Sequence, residues 1–106
     1  MTMDEVKNYL KIDYNEDDTL IENMYKGCIA YLEPILKYSM EYDNTKYNNF
    51  YEYLEGENDK RLNLVNIYIL AMTKEMYDDK GLTIDKANSK LKYTMSHILN
   101  QLQYSY

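Results

Sequence analysis

Apolar positions recur along this chain at helical spacing in four stretches, separated by polar runs. The first stretch is short. Thr2-Met3-Asp4-Glu5 fits a capping box, with Thr2 as N-cap and Glu5 reaching back to it; Val6, Tyr9 and Leu10 then share one helical face. Residues 10–14 read as extended chain leaving that helix. Asn15-Glu16-Asp17-Asp18 follows, with side chains that can cap the next helix and favour its positive end. The second stretch is the clearest. Leu20, Ile21, Met24, Cys28, Leu32, Ile35 and Leu36 form a stripe that Tyr25, Ile29 and Tyr31 widen. Pro34 lacks an N–H and crowds the carbonyl of Ala30, which predicts a kink or a stop near the helix end. The third stretch spans residues 60–79. Leu62, Val65, Ile69, Met72 and Met76 line one face, and Leu64, Tyr68 and Ala71 line the next, the mark of a central helix. Gly81 is suited to ending it in a left-handed conformation.

The remaining stretches are weaker. In residues 37–59 Tyr38, Tyr42, Tyr47, Phe50, Tyr51 and Tyr53 alternate irregularly with Glu, Asp and Asn, which predicts a polar connector holding a short hairpin or helical turn. Leu82-Thr83-Ile84 is followed by a polar link to Ser89, and Leu91-Lys92-Tyr93 alternates like a short strand. Thr94 then caps a last helix in which Met95, Ile98, Leu99 and Leu102 share one face. A small amphipathic helix near a chain end either folds back on the body or docks into a partner groove. The pattern as a whole predicts a mainly α protein. It is a small helical bundle built on two long antiparallel helices, with short N- and C-terminal helices and a short β-strand or hairpin as the non-helical option.

Composition narrows the function. The 106 residues fit one domain. Their 18 acids and 12 bases give a net charge of -6, against the basic face of a general nucleic-acid binder. No apolar run reaches the length of about 18 residues that spans a bilayer, and the opening residues lack a signal peptide's basic and apolar regions, so a soluble, intracellular-type chain is expected. Charge is uneven: residues 1–59 hold 14 acids and 5 bases, whereas residues 60–106 hold 4 acids and 7 bases. Such halves attract a second copy head to tail, or form a solvated surface with no partner. Tyrosine occurs 14 times and tryptophan never. A coding bias toward A and T explains this, as does a demand for contact surfaces with polar tips.

No constellation marks catalysis. Residues 13–18 look like the start of a calcium loop, but its sixth and twelfth positions hold Asp18 and Met24 instead of Gly and Glu. His97, the single histidine, reads as a polar surface residue, and Cys28, the single cysteine, as a small buried hydrophobe on its stripe. Gly27, Gly56 and Gly81 cannot form a phosphate-binding loop. The expectation is a protein that is not an enzyme and uses no metal or cofactor.

Three pieces together resemble the head–tail connector (adaptor) proteins of long-tailed bacteriophages, also known as DNA-packaging proteins. They are the opening segment of residues 3–14 with the acidic run and Leu20-Ile21 behind it, the central apolar helix of residues 64–79, and the terminal segment of residues 92–104. Residues 38–58 are longer and richer in tyrosine than that family's connector. The resemblance implies one connector-like domain over residues 1–106, with residues 93–106 as a docking segment. It implies a virion protein, made in the cytoplasm of the bacterial host, that assembles into a ring, commonly of twelve. The ring would sit beneath the portal protein, extend the DNA channel and receive a stopper or tail-completion protein on its far side, without binding DNA specifically or meeting a membrane. Tyr93, Met95, Ile98, Leu99, Leu102, Tyr104 and Tyr106 are then expected to dock on the portal. Asp13, Glu16, Asp17 and Asp18 are expected to form an acidic cluster at a subunit interface or on the lumen. The alternative is a small acidic phage-encoded regulatory module that binds or inhibits a host protein.

Overall fold

The computed structural model describes residues 1–36, 41–79 and 83–91. Its elements, in chain order, are α1 (Met3–Leu10), α2 (Asp18–Leu36), α3 (Phe50–Gly56), α4 (Arg61–Asp78) and the described part of α5, residues 84–91. The protein is mainly helical, and no strand occurs among the described residues.

α1 starts as its sequence requires. Thr2 Oγ1 accepts from the Glu5 N–H at 3.2 Å and donates to the Glu5 carboxylate at 3.3 Å. The helix ends in a Schellman turn. Lys11 adopts a left-handed conformation (φ 61°), and the Ile12 N–H reaches the Lys7 carbonyl at 3.0 Å. Burial of Ile12 anchors the turn.

α2 and α4 pack most extensively. Asp17, just ahead of α2, meets Tyr77 in the last turn of α4, and Cys28 Sγ lies 3.8 Å from Thr73 Oγ1 midway along, so the two helices run antiparallel. Ile21, Tyr25, Cys28, Leu32 and Leu36 of α2 are buried against Val65, Tyr68, Ile69, Met72 and Met76 of α4. Leu20, expected on the α2 stripe, is exposed instead, because Ile21 takes the inward position beside it. α2 continues past Pro34 to Leu36. The bond that Pro34 forfeits belongs to the exposed residue Ala30, where water can replace it, while Leu36 is fully buried. Thr73, also fully buried, satisfies its hydroxyl on the Ile69 carbonyl at 2.8 Å.

The helical-turn option for residues 37–59 is realised in α3. Asn49 caps it by accepting from the Glu52 N–H at 2.9 Å, and Phe50, Tyr51 and Leu54 enter the core. Gly56 lets the Tyr47 ring approach closely: a Cβ there would lie 2.6 Å from its edge, and the ring would have to shift. α3 ends in a second Schellman turn, with Asn58 left-handed (φ 49°) and the Asp59 N–H on the Leu54 carbonyl at 3.0 Å.

Two expectations are corrected around α5. The stretch read as a polar link to Ser89 is helical, and Leu91, read as the start of a strand, ends the described part of that helix. Thr83 caps it through the Lys86 N–H at 3.3 Å, and Ile84, Ala87 and Leu91 recur at helical spacing on the packed face. The Gly81 stop, Tyr93 and the terminal helix from Thr94, including His97, lie outside the described residues.

Candidate interaction surface

The acidic turn between α1 and α2 divides into two parts. Asp13 and Glu16 are exposed, whereas Asp17 and Asp18 are engaged with the body of the protein. Lys7 of α1, almost fully buried, reaches Asp18 Oδ1 and Asn15 Oδ1, each at 2.8 Å. Tyr77 of α4 donates to Asp17 Oδ2 at 2.6 Å, and Tyr14 Oη lies 2.7 Å from Tyr77 Oη. The Asp17 carboxylate, as acceptor, pushes the Tyr77 phenol upward. Sequence reasoning missed Lys7 and Tyr77, whose partners lie on other elements. Tyr93, Met95, Ile98, Leu99, Leu102, Tyr104 and Tyr106 lie outside the described residues.

Tyrosine is used mainly inward. Of the ten described tyrosines, only Tyr9 and Tyr14 are exposed. Buried or half-buried rings place their hydroxyls on acceptors: Tyr51 on Asn66, Tyr68 on Asn88, Tyr42 on Glu33 and Tyr47 on Glu57. Burial pushes the Tyr42 and Tyr68 phenols up to about 12. Tyr53 stacks on Tyr42 at 5.7 Å between centroids and meets Tyr47 edge-on at 5.6 Å, while Lys46 lies over the Tyr47 ring. The irregular tyrosines of residues 41–53 thus form a shell around α3. Among the described residues, the large apolar side chains left exposed are Tyr9, Tyr14, Leu20 and Ile67.

A cleft of about 590 Å³ opens between α2 and α3. Tyr25, Ile29 and Tyr51 are among the residues lining it, together with the carboxylates of Glu33 and Glu55 and the cationic groups of Met1 and Lys26. Glu33 crosses the groove at its base, accepting from the Phe50 N–H at 2.9 Å and from Tyr42. The cleft therefore joins an apolar floor to charged groups of both signs that already have partners: the Met1 ammonium pairs with Glu55 at 3.0 Å, and Lys26 pairs with Glu22 at 2.6 Å.

Several bases of the C-terminal half are already paired. Arg61 holds Asp59, Lys74 holds Asp78 and Lys90 holds Glu75. Lys60 and Lys86 are exposed. Burial pushes the Cys28 thiol up to about 11, opposed by its contact with Thr73, so it is a poor nucleophile at neutral pH. Among the described residues no group of His, Cys, Asp and Glu is arranged to hold a metal ion, and no helix is long and apolar enough to cross a membrane.

The arrangement offers surfaces for assembly, and the comparisons agree with it. No match was found among curated proteins or among solved structures. The family described as phage gp6-like head-tail connector protein matches residues 1–103. Nearly the whole chain is covered, from the capped α1 through the central helix to the terminal segment, so the protein belongs to this phage head–tail connector family, a structural family of virion components.

Proposed function

We propose that the protein forms a ring, of twelve copies, that joins the portal vertex of the phage capsid to the tail or stopper and extends the DNA channel. Family membership over residues 1–103 carries this reading. Residues 1–106 act as one connector domain that does no chemistry and is made in the host cytoplasm before entering the virion. The segment 93–106 docks on the portal through Tyr93, Met95, Ile98, Leu99, Leu102, Tyr104 and Tyr106. A stopper or tail-completion protein binds the opposite side. Asp13 and Glu16 remain available at the acidic turn for a neighbouring subunit or the lumen, with Asp17 and Asp18 holding that turn in place. Twelve copies at -6 give the ring about -72 in total, a field that keeps phosphates off the channel wall.

The test is the solution mass by light scattering, alone and then mixed with the portal protein of the same phage. A defined ring, or a defined complex with portal, supports the reading. A monomer that ignores assembled portal overturns it in favour of the regulatory module. Tight binding of assembled rings to DNA at low salt would reject the repulsive channel wall.

A further inference from the structure

Three sides of α4 are covered. Val65, Ile69, Met72 and Met76 face the core with α2. On one flank Asn66 meets Tyr51 of α3, and Tyr77 meets Tyr14. On the other flank Tyr68 meets Asn88 of α5, and Glu75 holds Lys90 at 2.9 Å. A helix turns about 100° per residue, so Ile67 points roughly 200° away from both Val65 and Ile69. Ile67 is 48% exposed, and Asn63, Lys74 and Asp78 on the same side are exposed with it. Leu64 and Ala71, half-buried, share a stripe with Tyr68 and Glu75 and so form the α5 margin of this side. No described element covers it. Lys74 and Asp78 pair with each other at 3.0 Å, so the side is apolar at Leu64, Ile67 and Ala71 and its charges are matched.

We propose that residues 94–102 of the same chain dock along this side of α4 and are handed over when the portal takes them. The fold-back stands on α4 itself; the hand-over rests on the portal-docking reading. Position in the chain selects this occupant. Lys90 on Glu75 and the half-buried Leu91 bring the end of the described part of α5 to the margin, and Lys92 and Tyr93 alone separate Leu91 from Thr94. So short a linker gives the segment an effective concentration on the order of millimolar at α4, which a second copy in dilute solution does not match. α5 passes Tyr68 with Asn88 before it reaches Glu75 with Lys90, so it runs parallel to α4, and a tight turn returns the chain antiparallel toward Leu64. Met95 and Leu102 are seven positions apart, as are Ala71 and Leu64. Met95 then reaches Ala71, Ile98 and Leu99 cover Ile67, and Leu102 reaches Leu64. Residues 93–106 contain no Asp, Glu, Lys or Arg, which suits a side whose own charges are already paired. A helix this short is marginal alone in water, so it needs one apolar surface or the other.

Amide hydrogen exchange on the full chain tests this, with Ile67→Asp and, as a control, Asn23→Asp. Both positions are exposed, and Asn23 lies two residues from each of the buried Ile21 and Tyr25, on the side of α2 turned away from α4. Circular dichroism checks that each variant keeps its helices. In the wild-type protein, amides 94–102 are expected to exchange at least about tenfold more slowly than in the free peptide 92–106, equally at low and high protein concentration. Ile67→Asp is expected to abolish most of that protection and to bind portal at least about threefold more tightly, because the competing site is lost. Asn23→Asp is expected to change neither. Absent protection in the wild type, protection that survives Ile67→Asp, or protection that grows with concentration overturns the fold-back, the last by assigning the α4 side to a second copy. Lost protection with unchanged portal affinity overturns the hand-over alone. Failure of all three proteins to bind portal overturns the portal-docking reading and the hand-over with it, while amide protection still decides the fold-back.

Discussion

Tyr77 in the last turn of α4 donates to the carboxylate of Asp17 at 2.6 Å, fastening the turn ahead of α2 to the far end of its antiparallel partner. Tyr14 adds a second hydroxyl at 2.7 Å. The predicted consequence is local. Tyr77→Phe keeps the ring and removes the donor to Asp17, so the helices should persist. Amide hydrogen exchange in residues 13–18 should quicken, with a small drop in melting temperature. Unchanged exchange in that turn would show that Lys7 holds it alone.

Lys7 supplies the other attachment. Its ammonium meets Asp18 and Asn15 while its stem is buried beneath α1. Asp18 is half exposed, which moderates the strength of the pair. Lys7→Ala should cost about 1–2 kcal/mol by urea denaturation, and Lys7→Met should recover the part due to packing of the stem. Equal losses for both variants would assign the whole effect to the ion pair.

Much of the helical framework was legible from periodicity. Val65, Ile69, Met72 and Met76 repeat at spacings that place them on one inward face, and α4 buries all four. Thr2 and Glu5 announced the start of α1. α5 was missed because its apolar residues, Ile84, Ala87 and Leu91, are sparse and Ala87 is small, although Thr83 followed by that spacing was a readable signal. The acidic turn was recognised as a cluster, but its division was not. Lys7 and Tyr77 come from different helices, and Tyr77 is 60 positions away from Asp17, so tertiary packing alone brings them together. The tyrosines had the same difficulty. Their number suggested open surfaces, whereas Asn66 and Asn88 satisfy the hydroxyls of the buried Tyr51 and Tyr68, and Glu33 and Glu57 those of the half-buried Tyr42 and Tyr47.

Lys11 occupies a position that favours glycine. Its φ of 61° crowds the Cβ, and the Schellman turn with the buried Ile12 holds it there. Lys11→Gly should stabilise the protein by about 0.5–1 kcal/mol, and Lys11→Val, β-branched in the same conformation, should destabilise it by about 1 kcal/mol. Thermal melts of the three proteins check the order Gly, Lys, Val.

Alkali should unfold the protein through its buried acids. Cys28 is raised from 9.0 to about 11, chiefly by burial. Tyr68 is raised from 10.0 to about 12, again by burial and then by Tyr31 and Cys28. Each group keeps its proton longer in the folded state, so the folded protein binds more protons across these windows and stability falls as pH rises. The contribution of Cys28 is intact below pH 9.0 and lost toward pH 11; that of Tyr68 is intact below pH 10.0 and lost toward pH 12. Tyrosinate absorbance for Tyr68 should therefore appear together with the loss of helical circular dichroism. Free titration of every tyrosine near its ordinary value in a folded chain would contradict this burial.

The terminal segment offers the most direct test of portal docking. The buried core among the described residues runs from Val6 to Ala87, so deletion of residues 94–106 spares all of it. The truncated chain should keep its helical circular dichroism and a cooperative melt, yet lose portal binding. Ile98→Asp and Leu102→Asp in the full chain should each weaken binding at least about tenfold, because each places a charge at a position proposed to dock on the portal. His97→Ala, outside the proposed docking set, should leave affinity within about twofold. Together these separate docking by an apolar helix face from a nonspecific loss caused by shortening the chain. If the truncation bound portal normally, the portal contact would instead belong to surfaces of the body, with exposed Tyr9, Tyr14, Leu20 and Ile67 the next residues to substitute.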